Sequence, residues 1–132
     1  MSDKLVPEVN DTTRLYWEGT AAGELRLRTC KSCAAKFRFN HGWCPECGHD
    51  ELDYIVSAGN GVVTNFSIIH VPPYEAYASE VPYALALIDL DEGVRMMANV
   101  IECDPAAVSV GMRVAVTYED RGAIKLPQFK PA

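Results

Sequence analysis

Residues 30–33, Cys-Lys-Ser-Cys, and residues 44–48, Cys-Pro-Glu-Cys-Gly, decide how this chain folds. Each is a C-x-x-C knuckle, and ten residues separate the two. A pair of thiols two residues apart reaches one metal from a single tight turn. A second such turn completes a tetrahedron of thiolates around zinc, at about 2.3 Å per bond. One knuckle alone is a weak signal, whereas two with a short spacer specify a site. Cys30, Cys33, Cys44 and Cys47 are therefore the expected ligands of one structural Zn2+ per chain, because four sulfurs leave no open position for chemistry. Ala34 and Gly48 follow the knuckles, where small residues let backbone amides approach the sulfurs.

Outward from the knuckles, Glu24–Thr29 alternates as a half-buried strand, with Leu25 and Leu27 on one face and Arg26 and Arg28 on the other. Lys36-Phe37-Arg38-Phe39 repeats the alternation between the knuckles. The expected product is a zinc ribbon over residues 24–54. Its outward face would carry Arg26, Arg28, Lys31, Lys36 and Arg38, a basic patch facing phosphates or a partner's acids. Upstream, residues 1–10 read as an extended arm. Asp11 or Thr12 can cap a short helix through Leu15, Tyr16 and Trp17 toward Gly23, which makes residues 1–23 an arm and helix. So short a helix has little reason to fold alone. Its aromatics either pack on the ribbon or dock on another chain.

From Ile55 onward the pattern is all-β. Gly61–Ile69, Pro82–Leu90, Val94–Ile101, Arg113–Tyr118 and Ala123–Leu126 read as five strands, and residues 126–132 as a proline-flanked tail. Five strands with a break between the third and fourth suit a Greek-key barrel of the OB type over residues 55–132. The fold class is thus mainly β: a short N-terminal helix, a zinc ribbon and a five-stranded OB-fold barrel. The hairpin of that barrel is apolar on both faces, where an exposed wall should alternate. One face fills the barrel, so Tyr83, Leu85, Leu87, Met96 and Met97, with Tyr16 and Trp17, are candidates for a partner interface.

Composition narrows the classes. A chain of 132 residues with a net charge of −6 lacks a general attraction to polyanions. Between Val56 and Val110 the only base is Arg95, and the two central strands offer only Tyr83 as a stacking aromatic. Single-strand nucleic-acid binding by the OB-fold is therefore the runner-up reading. The longest apolar run is too short to cross a bilayer and the start has no signal-peptide pattern, which predicts no membrane partner and a cytoplasmic location. Five cysteines, with Cys103 left over, fit a reducing compartment. Cys103 lies between Glu102 and Asp104, which disfavour its thiolate, and His41, His49 and His70 show no base-like arrangement. No catalytic residue is expected. Iron in the C-P-x-C-G knuckle, as in an electron carrier, is a third possibility.

Tyr16-Trp17-Glu18-Gly19, the two knuckles, Gly59-Asn60-Gly61, His70-Val71-Pro72-Pro73, Val81-Pro82-Tyr83, Asp91-Glu92-Gly93, Gly111-Met112 and Leu126-Pro127-Gln128-Phe129 together resemble a known family. It comprises small proteins with a rubredoxin-like zinc ribbon and an OB-fold, formerly a domain of unknown function. The resemblance implies a noncatalytic accessory subunit of acyl-CoA enzymes: thiolases, steroid side-chain aldolases and MaoC-like hydratases. It also implies contact with the catalytic subunit in a hetero-oligomer and a share in enclosing acyl-CoA. Ala34 stands where glycine is common in that family.

Overall fold

The computed structural model describes residues 5–38 and 42–132. Residues 1–4 of the expected arm, together with Phe39, Asn40 and His41, lie outside the described residues.

The Leu25/Leu27 alternation produces a strand, β1 (Leu25–Cys30). It pairs antiparallel with a short β2 (Lys36–Phe37) and, along its whole length, with β3 (Leu52–Ser57), in the order β2-β1-β3. The ribbon thus runs on to Ser57, past the expected boundary at residue 54, because Leu25 pairs with Ser57 at its far end.

The second sheet is a closed five-stranded barrel of β4 (Asn60–Ile69), β5 (Tyr83–Leu90), β6 (Arg95–Val100), β7 (Arg113–Arg121) and β8 (Ile124–Pro131), in the order β4-β5-β6-β8-β7. Strict period-two burial runs along the hairpin. Ala84, Ala86, Ile88 and Leu90 of β5 and Met96, Ala98 and Val100 of β6 point inward. The small alanines leave room for larger groups from the other strands, among them Val63, Val114 and Phe129. Residues 126–132 are not the expected tail. They form most of β8, with Phe129 fully buried and paired to Val116 on one side and Val100 on the other. Gln128 supplies an amide oxygen to the Asn99 N–H (2.8 Å), filling a gap in the β6–β8 ladder.

The helix α1 spans Arg14–Ala21. Asn10, rather than Asp11 or Thr12, organises its start: its Oδ1 accepts from the N–H groups of Thr12 and Thr13, both at 3.0 Å. Asp11 pairs with Arg14 instead. Gly23, at φ +79°, turns the chain out of the helix. Tyr16 and Trp17 are 2% and 6% exposed and join Leu25, Leu27 and the barrel interior in one apolar cluster. Ribbon, helix and barrel therefore share a core.

Glu92, in the β5–β6 turn, fixes the junction between the sheets. Its carboxylate accepts from Ser57 Oγ (2.7 Å) and Ala58 N–H (2.9 Å), and the Gly59 N–H donates to Ser57 Oγ (2.9 Å). Gly59 sits at φ +78° directly against Val116, so an added Cβ would overlap the valine side chain. Gly59→Ala should cost about 2–4 kcal/mol, combining left-handed strain with overpacking. Urea denaturation of the full chain measures it, and an unchanged midpoint would contradict the packing described.

Candidate metal centre and docking surface

Strand β1 delivers Cys30 at its last position, and the turn that follows delivers Cys33. Cys44 and Cys47 come from a second turn of the same design. The Ala34 N–H donates to the Cys30 carbonyl at 3.0 Å and the Gly48 N–H to the Cys44 carbonyl at 2.9 Å. Both residues lie in the left-handed region, at φ +62° and +80°. The Ser32 and Cys33 amides point at Cys30 Sγ (3.4 and 3.5 Å), and the Glu46 amide at Cys44 Sγ (3.4 Å). Across the knuckles, Cys30 Sγ is 3.5 Å from Cys47 Sγ and Cys33 Sγ is 3.6 Å from Cys44 Sγ, and all four sulfurs lie within 4.8 Å of one another. A thiolate tetrahedron with 2.3 Å bonds has edges of about 3.8 Å, so this cluster can hold a metal ion.

Its electrostatics point the same way. The Cys33 amide, followed by that of Ser32, pulls the Cys30 thiol down to about 6. Cys47 moves oppositely. Although the His49 amide favours its thiolate, desolvation and the Cys30, Cys33 and Cys44 sulfurs push it up to about 12. Four thiolates at these separations need a cation among them. His49 contributes through its backbone, its carbonyl accepting from the Cys44 N–H at 2.7 Å.

The five basic residues do not share a face. Cross-strand partners point the same way, and the register pairs Arg28 with Phe37 and Thr29 with Lys36. Arg26 and Arg28 therefore lie on one face of the ribbon, Lys36 and Arg38 on the other. Arg26 is taken up by Glu24 (2.9 Å) and by the Tyr54 ring, 5.0 Å away. Arg28 lines a cavity of about 320 Å³ beside Asp11 and Asp50. Arg38 turns toward the helix, donating to the Tyr16 hydroxyl at 3.1 Å, its guanidinium 5.1 Å from that ring. Lys31 and Lys36 are exposed.

The expected interface residues divide in the same manner. Tyr16, Trp17 and Met96 are buried in the core and have no surface to offer another chain. Tyr83, Leu85 and Leu87 face outward and are half-buried, and Met97, opposite Leu87, is 56% exposed. Two cavities, of about 160 and 290 Å³, share Leu85 and Met97 and so make one trough along this wall. Tyr74, Tyr77 and Arg121 line its far end.

Arg121 falls between the last two strands expected from the sequence, where nothing in the local pattern marks it. Its buried guanidinium bonds Glu119 through Nε (3.0 Å), and its Nη1 donates to the Leu5 carbonyl (2.7 Å) and the Tyr77 hydroxyl (3.4 Å). One side chain so ties the arm and the 70–82 loop to β7. Burial, then Asp104, pushes the Cys103 thiol above its ordinary value.

Comparison with known proteins places this geometry. The model of the ChsH2 C-terminal OB-fold domain matches residues 54–119. A DUF35 domain-containing scaffold protein of Methanocaldococcus jannaschii is 32% identical over 110 residues, 77% of each chain. A probable enoyl-CoA hydratase alpha subunit of Thermomonospora curvata is 31% identical over 96% of this chain, which spans only 39% of that relative. Among solved structures, a chain of the "Ltp2-ChsH2(DUF35) aldolase" superposes with a TM-score of 0.84 at 30% identity, covering 96% of this chain and 98% of that one.

Ala34 carries left-handed strain that Gly48 does not. Ala34→Gly should stabilise the metal-loaded protein by about 0.5–1 kcal/mol, and Ala34→Val should destabilise it. Thermal melting of the three proteins reads the order, and equal melting temperatures would refute the strain.

Proposed function

This chain belongs to the DUF35 family, and on that premise we propose that it is a noncatalytic, zinc-bound adaptor subunit of an acyl-CoA-processing complex. Its catalytic partner is an aldolase or other thiolase-fold chain, or a hydratase. The observation that carries this reading is the outer barrel wall, where Tyr83, Leu85, Leu87 and Met97 form an apolar trough on an otherwise acidic molecule. The whole-chain likeness to a DUF35 chain from an aldolase complex supports it.

Zinc would be held by Cys30, Cys33, Cys44 and Cys47 and serves as a clasp for a ribbon too small to hold itself, with no position left for substrate. The partner covers the trough and supplies any residue that attacks a thioester. Acyl-CoA lies at or near the shared boundary. Of the basic residues, Lys31 and Lys36 remain exposed for phosphates or partner acids. Nucleic-acid binding loses support, because the only base on the central hairpin, Arg95, is held by Asp89 at 2.7 Å.

Co-expression with each adjacently encoded thiolase-fold or hydratase chain, followed by gel filtration, should give a stable hetero-oligomer. Failure to co-elute with any of them would remove the adaptor reading. Metal analysis should return one zinc per chain in a colourless protein, and Cys44→Ser should lose the metal and melt lower; a red, iron-containing preparation would overturn the assignment.

A further inference from the structure

Strand β4 uses its two edges unequally. One edge pairs with β5 from Gly61 to Ile69, whereas the other meets β7 only at Asn60, Gly61 and Val62. Val63 then exchanges bonds with the turn that leads into β7, its N–H donating to the Met112 carbonyl (3.0 Å) and its carbonyl accepting from the Gly111 N–H (2.8 Å). The register slips at Thr64, and from Asn65 to Ile69 no described strand lies along that second edge. The Phe66 N–H donates to the side chain of its neighbour Asn65 (2.8 Å), so it points away from β5. Antiparallel alternation then turns the Ile68 N–H and carbonyl to the same open side.

Proteins ordinarily blunt such an edge with charge, proline or a covering segment. Here no Asp, Glu, Lys or Arg occurs from Tyr54 to Tyr74, in a chain that is 23% charged, and β4 contains no proline. The outward side chains of the edge strand, Asn65, Ser67 and Ile69, stand directly across from Leu87, Leu85 and Tyr83. Open edge and apolar trough are therefore one continuous surface, and a chain lying on the trough reaches the edge. A second copy pairing β4 to β4 would engage five residues a side, well short of the roughly 20–30 of a stable interface. It would also bring together two bodies of net charge −6.

We propose that the Asn65–Ile69 edge takes up an extended, uncharged segment of the catalytic partner as an added β-strand, with one of its side chains entering the 160 Å³ cavity beside Leu85, Leu87 and Met97. The inference rests on the adaptor reading and specifies how that docking is made. Main-chain bonds from Ile68 supply affinity, and the cavity supplies selectivity. A charged strand finds no counter-charge along this edge.

Hydrogen exchange on the co-purified complex tests it. The Ile68 amide should exchange at least about tenfold more slowly in the complex than in the free chain. Ile68→Pro, which removes the outward donor, and Ser67→Lys, which charges the same stretch at an exposed position, should each weaken the complex about tenfold. Circular dichroism of the free variants confirms folding. A complex in which Ile68 exchanges as fast as in the free chain, with Ser67→Lys binding normally, overturns strand addition and leaves the adaptor reading standing. Protection of Ile68 in the isolated chain at high concentration would assign the edge to a second copy and also overturn it. If no partner co-elutes, both readings fall.

Discussion

A single carboxylate governs how the two sheets meet. Glu92 reaches from the tip of the barrel hairpin to Ser57 and Ala58, where the chain leaves the ribbon, and charge-assisted bonds of this kind contribute about 1.5–3 kcal/mol before solvent screening reduces them. More follows from their direction than from their strength. With β3 held there, β1 lies so that Leu25 and Leu27 face the helix and the barrel interior, and the aromatics of α1 close over them. The ribbon's own cluster, Cys30, Phe37 and Cys44 with Ala35 and Leu52, is far too small to order two knuckles. Ordering there falls to the shared core at one end of the ribbon and, at the other, would fall to a metal ion held by the four cysteines.

The parts legible in the sequence were those whose information is local. The knuckles are fixed by a spacing of two residues, and the β5–β6 hairpin by Asp91-Glu92-Gly93 between two apolar runs. Pro127 and Pro131 hid the continuation of the last strand beyond Leu126, since proline is normally a sign that pairing has stopped. Tertiary context overrode it: Phe129 is needed inside, and Gln128 supplies through its side chain a bond the ladder lacks. The basic face failed for a different reason. Alternation tells which residues of one strand share a face, but the relation between two strands depends on the number of residues in the turn between them. The five-residue connection at 31–35 sets Thr29 opposite Lys36, and that one register puts Arg38 behind the sheet from Arg28.

The two methionines of the hairpin show how much a single position decides. Met96 and Met97 are indistinguishable as letters, yet one fills the barrel beneath Ile88 and the other stands exposed beside Leu87. The sequence made plain that the hairpin had one apolar face too many. Only the closed barrel says which residues belong to it, and so separates Leu85, Leu87 and Met97 from the residues that hold the fold.

That separation also sets the physical character of association at this surface. At the hairpin tip the charges are matched within the chain, Asp89 with Arg95 at 2.7 Å and Asp91 with Arg113 at 2.9 Å, and each guanidinium holds its carboxyl below the usual range. Between Tyr54 and Tyr74 there is no charge to match. A surface so arranged exerts little long-range pull on a partner, because opposed charges a few ångströms apart cancel beyond a Debye length of about 8 Å. What remains is burial of the trough and the directional bonds of an open strand edge, and these slow dissociation rather than hasten encounter. A surface built on those terms favours slow release over fast capture.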